Sequence, residues 1–177
     1  ELLSTNILSA YLKLNNFSND LIDARDVFKT DNQYQSANIN WELTIKCIRE
    51  KIEYFPIVTQ GFIGCTSENF TTTLGREGSD FTAAVLANAL NAEHVIIWKD
   101  VDGVLNADPR FFSETRLIKQ LSFTDAIELA YYGAKVIHPK TIQPLKEKKI
   151  PLHVRSFKNV NKSGTIINSE INNNKKP

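Results

Sequence analysis

The feature that most constrains the fold of this chain is a helical segment that is apolar on nearly every face. Ser79 is a favourable N-cap for the run 80–91, whose apolar residues leave no polar stripe. Such a helix must be packed on both sides. The next segment, 94–98, is apolar and β-branched, like the buried strands of parallel sheets. Together they predict a helix and a strand inside an α/β core.

The rest of the chain alternates between helical and strand patterns. Strands that alternate with helices indicate a mostly parallel sheet covered on both faces. Asparagine and lysine dominate from Asn168 onward, where we predict a mobile tail. The patterns predict further helices over 4–14, 41–53, 124–132 and 139–148, strands over 20–24, 56–60 and 152–156, and loops over 26–40, 61–78 and 99–116.

Composition and charge argue against several classes of partner. The 21 basic and 20 acidic residues leave a formal net charge of +1, which provides no general attraction to nucleic acid or to a membrane surface. The apolar runs are much shorter than a membrane span. Cys47 and Cys65 lack the spacing of a metal or redox motif, so we predict that both are reduced and structural. A cytoplasmic protein fits these features.

The loop 61–78 and the helix start that follows it contain residues suited to binding an anion. Ligands of parallel α/β sheets bind at the carboxyl ends of the strands. The segment Thr71–Asp80 combines hydroxyls, two glycines and an arginine with a helix N-terminus, which attracts anions. Arg76 could add a bidentate bond to a carboxylate. Taken alone, a capped loop with a surface arginine is an equally good interpretation.

Two other segments bring charges to strand ends. The loop 99–110 contains three acidic and two basic residues, and Gly103 lies at the wrong offset for an EF-hand calcium loop. Its aspartates either stabilise turns or contact a ribose and phosphates. Lys135 stands in an apolar run, where it is either solvated, as most lysines are, or directed at an anion. Neither a P-loop nor a dinucleotide-binding fingerprint occurs.

Three motifs, in this order, resemble those of the aspartate kinases of the amino acid kinase family. They are Thr72-Thr-Leu-Gly-Arg-Glu-Gly-Ser-Asp80, the stretch Trp98–Arg110, and Glu128-Leu-Ala-Tyr-Tyr-Gly-Ala-Lys-Val-Ile-His-Pro139. The segments Gln60–Gly64 and Glu1–Thr5 match as well. The resemblance implies a three-layer α/β/α sandwich with a mostly parallel central sheet, like that of carbamate kinase.

The resemblance also implies an activity and a substrate site. The expected reaction transfers a phosphoryl group from ATP to the β-carboxylate of L-aspartate, giving 4-phospho-L-aspartate, in the first step of lysine, threonine and methionine biosynthesis. Glu1 would hold the substrate amino group, while Arg76, Ser79 and the backbone near Phe62 would hold its carboxylates. Asp80 would organise the active-site cations, with Mg²⁺ bridging the phosphates.

Further residues would form the nucleotide site. By resemblance, Lys135 would neutralise the β- and γ-phosphates, so Lys135 and Asp80 are the expected catalytic residues. Removing a charge clamp such as Lys135 should lower the rate on the order of 10²-fold or more. The nucleotide pocket would also be lined by Gly75, Gly78, Lys99, Asp100, Asp108 and Arg110.

Several features depart from the family pattern. Glu77 replaces the second glycine of the first motif and adds a negative charge near an anion site. Leu105 stands where an aromatic residue commonly packs on the adenine. The family's N-terminal K-[FY]-G-G-[TS]-S segment and its C-terminal ACT domains do not occur in the chain. We therefore expect a partial catalytic domain over 1–167 that is inactive alone, a tail over 168–177, and a homo-oligomeric parent protein.

Two alternatives stay open on the sequence. Another amino acid kinase, acting on glutamate, acetylglutamate or carbamate, is the first, although Arg76 and Glu1 favour aspartate. A catalytically inactive nucleotide-binding or interaction module is the alternative from a different class.

Overall fold

The computed structural model describes residues 1–132 and 136–169. It divides into two compact units, Glu1–Leu90 and Asn91–Pro177. Both units combine helices with strands, which confirms the α/β class predicted from the sequence. Among the described residues, no helix is both long enough and apolar enough to cross a membrane.

The first unit contains four helices and four short strands among its described residues. Strands β1 and β2 pair in parallel, with Leu21 opposite Val58, and β3 and β4 form an antiparallel pair with Gly64 opposite Thr72. The elements in chain order are α1 (Leu2–Leu14), β1 (Asp20–Ile22), α2 (Ala24–Val27), α3 (Trp41–Lys51), β2 (Ile57–Thr59), β3 (Ile63–Cys65), β4 (Thr71–Thr73) and α4 (Gly78–Leu90).

The core of the first unit forms around α2, α3 and α4. Phe28 and Ile48 are fully buried, and Phe81 of α4 meets the edge of Trp41 with ring centroids 6.3 Å apart. Helix α4 also buries Ala84 and Val85 completely. The prediction that this helix is enclosed by its neighbours is therefore confirmed, and its packing fixes where its N-terminus lies.

The second unit contains one four-stranded sheet in the order β5-β7-β8-β6. The outer pairs β5–β7 and β6–β8 are parallel, whereas β7 and β8 are antiparallel. Helix α5 begins after Ser122, whose side chain forms a capping box with Asp125. The elements are β5 (Val95–Lys99), β6 (Gln120–Ser122), α5 (Phe123–Tyr131), α6 (Pro139–Lys148), β7 (Leu152–Ser156) and β8 (Thr165–Asn168).

Three predictions in the first unit are wrong in detail. The predicted strand 20–24 ends at Ile22, because the Asp23 side chain accepts from the Arg25 N–H and caps α2, which begins at Ala24 and extends into the predicted loop 26–40. The predicted loop 61–78 contains β3 and β4, whose Gly, Cys and Thr residues carry no clear alternating pattern. Ser79 is not the N-cap of α4, since the helix already begins at Gly78.

Two predictions in the second unit are also wrong. Strands β6 and β8 occur where no strand was expected, and Asn168 belongs to β8 instead of a mobile tail, whereas residues 170–177 of the predicted tail lie outside the described residues. The Gln120 Nε2 donates to the Asn168 Oδ1 at 3.2 Å, which helps to hold these two strands together. The described strands form three sheets, in which the pairs β1–β2, β5–β7 and β6–β8 are parallel, in keeping with the predicted fold class.

Candidate functional site

The N-terminus of α4 packs closely against the turn at Gly61 and Phe62. A Cβ atom at Gly61 would lie 3.0 Å from the Cα of Ser79, and one at Gly78 would lie 2.8 Å from Cδ2 of Phe62. Both distances are shorter than ordinary contacts, so the two glycines allow the backbones to approach. Phe62 has a φ of 73°, in the left-handed region. The turn and the helix start therefore form one compact structure.

Thr82 joins this turn to the helix. The Phe62 N–H donates to Thr82 Oγ1 at 3.0 Å, and the same hydroxyl donates to the Gly78 carbonyl at 2.8 Å. The Phe62 carbonyl accepts from the Leu74 N–H at 2.8 Å. Both backbone polar groups of Phe62 are thus bonded within the chain. The contact of Phe62 with a substrate stays a prediction, whereas the hydrogen bonds that hold Phe62 against the helix start are observed.

The turn Gly75–Gly78 leads into α4. The Gly78 N–H donates to the Gly75 carbonyl at 3.1 Å, and the Glu77 carbonyl accepts from the Phe81 N–H at 3.1 Å. Glu77 has a φ of 52°. Its Oε2 is buried and has no hydrogen-bond partner in the described part of the chain. The Glu77 carboxylate therefore does not simply project into solvent.

Arg76 and Ser79, two of the predicted substrate residues, flank the start of α4. Both are exposed, whereas Asp80 is partly buried in the first turn of the helix. No ion pair of Arg76 is found within residues 1–132 and 136–169. The first N–H groups of a helix carry partial positive charge, which adds to that of the guanidinium. This end of α4 can accordingly bind an anion.

Glu1 is connected to the same region through α1. It is the N-cap of that helix, and its carbonyl accepts from Thr5 Oγ1 at 3.0 Å. Thr5 Oγ1 in turn accepts from Gln60 Nε2 at 2.7 Å, and Gln60 Oε1 accepts from the Ala24 N–H at 2.7 Å. Since Gln60 immediately precedes the Gly61 turn, these bonds tie the N-terminus of α1 to the turn that packs on α4.

In the second unit, the predicted residues Lys99 and Asp100 lie at the carboxyl end of β5. The Lys99 carbonyl accepts from the Phe157 N–H at 3.0 Å, which extends the pairing of β5 with β7. The exposed Asp100 Oδ2 is 4.0 Å from Lys158 Nζ. The carboxyl ends of two parallel strands therefore bring charged groups together, at the position where such sheets bind ligands.

Asp108 and Arg110 form a two-bond ion pair. Arg110 Nη2 lies 2.6 Å from Asp108 Oδ2, and its Nε lies 3.1 Å from Oδ1. The hydrogen bonds to Asp108, followed by the attraction of its charge, raise the pKa of the Arg110 guanidinium. Because the pair is largely exposed, it contributes little to stability. A ligand that uses either side chain must compete with this pairing.

The structure thus groups the predicted site residues within each unit. The first unit brings together Glu1, Phe62, Gly75, Arg76, Gly78, Ser79 and Asp80, and the second holds Lys99, Asp100, Asp108 and Arg110. Lys135 lies outside the described residues, so its role stays a prediction. In the residues that are described, no three His, Cys, Asp or Glu side chains are grouped to hold a metal ion.

Two residues of this site were not predicted from the sequence. Gln60 is 1% exposed and bridges α1 and α2, and Thr82 is 2% exposed. Gln60 is the first residue of the segment Gln60–Gly64, which resembles the aspartate kinases. The resemblance drew attention to this segment without indicating a role for Gln60. No feature of the sequence singled out Thr82, because a threonine inside an apolar helix resembles any other core position.

A comparison with family models decides the membership of this chain. The model described as the amino acid kinase family matches residues 1–156. The chain belongs to the amino acid kinase family. This finding confirms the family predicted from the three motifs.

Several members of the amino acid kinase family are similar to this chain. The lysine-sensitive aspartokinase 3 of Escherichia coli (strain K12) is 37% identical in an alignment of 177 positions that covers 98% of this chain and 39% of the relative. The crystal structure of E. coli aspartokinase III in complex with aspartate and ADP has a TM-score of 0.93 at 36% identity, covering 98% of this chain and 40% of that one. The chain thus spans about two fifths of the length of these relatives.

A more distant amino acid kinase shares the fold alone. The carbamate kinase from Giardia lamblia bound to AMP-PNP has a TM-score of 0.60 at 14% identity, covering 94% of this chain and 67% of that one. Together with the aspartokinase III structure, it confirms the amino acid kinase-like fold expected from the motifs.

Proposed function

We propose that the protein containing this chain phosphorylates the β-carboxylate of L-aspartate with ATP to give 4-phospho-L-aspartate. The observation that carries the proposal is the exposed Arg76 and Ser79 at the start of α4, on a chain whose fold superposes on aspartokinase III with a TM-score of 0.93. That aspartokinase was crystallised with aspartate and ADP. A helix start beside an arginine suits the two carboxylates of aspartate.

The proposed roles within the first unit follow from charge and position. Arg76 and Ser79 would hold the substrate carboxylates, and Glu1 would hold the substrate ammonium group. Phe62 and Thr82 would keep the start of α4 in place. Asp80 would offer its carboxylate to the cations that accompany the phosphates, because it stands in the first turn of the same helix.

The proposed nucleotide contacts come from glycines and charged side chains. Gly75 and Gly78 would allow phosphates to approach the backbone. In the second unit, the nucleotide would be contacted by Lys99, Asp100, Asp108 and Arg110. The ion pair between Asp108 and Arg110 would first have to break. Lys135 would neutralise the β- and γ-phosphates, and replacing it with methionine should lower kcat on the order of 10²-fold or more.

Mg²⁺ fits the donor chemistry at Asp80. This ion commonly takes only one or two protein carboxylates, with phosphates and waters as its other ligands, so a cage of several acidic residues is not required. Asp80 would hold it, and when bound it would neutralise charge on the transferring phosphoryl group.

The proposed reaction depends on positioning and positive charge. The ionised β-carboxylate is itself the nucleophile, so it needs no base to remove a proton. Its oxygen forms a bond to the γ-phosphorus while the bond from that phosphorus to the bridging oxygen breaks, and ADP leaves with the electron pair. Arg76 would orient the nucleophile and Lys135 would stabilise the developing charge.

A trapping assay tests the proposed activity. The full-length protein is incubated with ATP, Mg²⁺, L-aspartate and hydroxylamine, which converts an acyl phosphate to a hydroxamate. Aspartate hydroxamate formed in step with ADP supports the proposal, and the same assay on residues 1–177 tests the expectation that this stretch alone is inactive. Turnover only with glutamate, acetylglutamate or carbamate would move the assignment to another amino acid kinase. Nucleotide binding without any turnover would indicate a binding module.

We further propose that the protein is a cytoplasmic homo-oligomer acting in the synthesis of lysine, threonine and methionine. An apolar stripe on α1 supports self-association: Leu3, Ile7, Tyr11 and Leu14 are 75%, 61%, 62% and 83% exposed, at helical spacing. A second copy of this chain is the proposed occupant. In light scattering, Ile7→Glu should lower the molar mass, while Asn6→Glu, which adds the same charge beside the stripe, should not.

A further inference from the structure

Glu77 opposes the electrostatic character of the site in which it stands. Arg76 and the N-terminus of α4 attract anions, whereas Glu77 brings a carboxylate to the residue just before Gly78, where the helix begins. A side chain at the residue preceding a helix usually caps it by accepting from a first-turn N–H. In the described residues the Glu77 Oε2 accepts no such bond.

The conformation of Glu77 is unfavourable in two independent respects. Its φ of 52° lies in the left-handed region, which glycine adopts more readily than glutamate. Its Oε2 is buried from solvent without a hydrogen-bond donor among the residues described. Strained residues and unsatisfied buried groups concentrate at functional sites, so both observations point to a role for this carboxylate.

The role follows from how a partly buried charge acts on ligands. Away from bulk water, a carboxylate repels nearby anions more strongly, and the repulsion grows with the charge of the ligand. An amino dicarboxylic acid such as aspartate carries a net charge of −1, because its ammonium group offsets one carboxylate. A plain dicarboxylate such as succinate carries −2, so Glu77 disfavours it more.

We propose that Glu77 is a specificity-determining residue that makes this site reject dicarboxylates without an ammonium group in favour of amino acids. This inference rests on the proposed function, because it assigns Glu77 to the same substrate site. If Glu77 weakens a singly charged ligand about threefold, it weakens a doubly charged one about tenfold, since the energy scales with the ligand charge.

Calorimetric titration of the full-length protein with L-aspartate and with succinate, at constant ionic strength, tests this inference. Glu77→Gln should raise the affinity for succinate about tenfold and that for aspartate about threefold. Glu77→Gly should act in the same direction, because it also removes the charge and suits the left-handed backbone. The matched control is Glu42→Gln, which removes an exposed carboxylate from α3 in the same unit and should change neither affinity.

The possible outcomes separate this inference from the proposed function. An unchanged ratio of the two affinities in both Glu77 variants overturns the role of Glu77, even if hydroxamate formation shows that the protein is an aspartate kinase. A gain in succinate affinity that exceeds the gain in aspartate affinity in those variants supports the role even where no turnover is found. Absence of binding in every variant, together with absence of turnover, overturns both. The gain in succinate affinity should also shrink as salt is added, because salt screens charge repulsion.

Discussion

The backbone N–H of Phe62 donates a 3.0 Å hydrogen bond to the hydroxyl of Thr82. This bond fixes a left-handed turn against the first turn of α4. The same hydroxyl donates a second hydrogen bond to the Gly78 carbonyl at 2.8 Å. A side chain in the core of the first unit thereby determines where the N-terminal end of α4, the candidate anion site, lies.

Replacing Thr82 with valine should weaken both stability and substrate binding. The change leaves the partly buried Phe62 N–H without its acceptor, which costs about 1–3 kcal/mol of unfolding free energy. The KM for aspartate should rise several-fold because the helix start loses its anchor. Urea denaturation and steady-state kinetics measure the two effects.

Thr44→Val is the matched control for that variant. Thr44 is fully buried, and its hydroxyl accepts from the Lys29 N–H at 3.0 Å and donates to the Lys29 carbonyl at 3.1 Å. Its replacement should cost similar stability with no change in KM. Equal KM values for all three proteins would contradict the role assigned to Thr82.

Gly61→Ala should disturb the packing of the turn on α4. The new methyl group would lie 3.0 Å from both Cα and Cβ of Ser79, so one of the two backbones must shift. Overpacking of this kind typically costs about 1–3 kcal/mol, and the displaced Ser79 should raise the KM for aspartate. Ser67→Ala, at an exposed position of the same unit, is the control. An unfolding midpoint equal to that of the control would refute the close contact.

Arg76→Gln should impair binding and leave the fold intact. A hydrogen bond to a charged group contributes about 1.5–3 kcal/mol, so the KM for aspartate should rise roughly 10- to 100-fold. Because the side chain is exposed, unfolding free energy should change by no more than about 0.5 kcal/mol. Lys46→Gln removes an exposed positive charge from α3 and should affect neither quantity. A normal KM in Arg76→Gln would remove this residue from the site.

The second unit should lose stability as the pH falls below about 6.5, because of His153. Burial, then the charges of His94 and Arg155, lower the pKa of His153 from its ordinary value of 6.5. The unfolded chain therefore binds a proton at a higher pH than the folded chain, and the folded state is disfavoured from pH 6.5 downward.

Urea denaturation at a series of pH values measures this effect. His153→Gln should flatten the dependence of unfolding free energy on pH in this window. His94→Gln should flatten it partly, since the two rings are 5.5 Å apart and one repelling charge is removed. An identical slope in the wild type and in His153→Gln would show that His153 is not the group responsible.

Long patterned segments were predictable from the sequence, as were the short strands β1 and β2, whereas four other short strands were not. Helices α1 and α3 follow from apolar spacing, α4 follows from a run that is apolar on nearly every face, and β5 follows from a β-branched run, because each pattern extends over enough residues to be distinctive. Strands β3, β4, β6 and β8 span three or four residues each, and they form only because partners distant in sequence supply their hydrogen bonds. The same limit explains why Asn168 was assigned to a tail.

The sequence by itself determined the family, because the spacing of the Arg76 and Asp108 motifs carries that information without any coordinates, and it supplied the site residues as predictions. The tertiary structure alone decided which groups are already bonded. It pairs Asp108 with Arg110, engages both polar groups of Phe62, and buries the Glu77 Oε2. Hydrogen bonding and burial depend on residues brought together by folding, so no local pattern in the chain could have specified them.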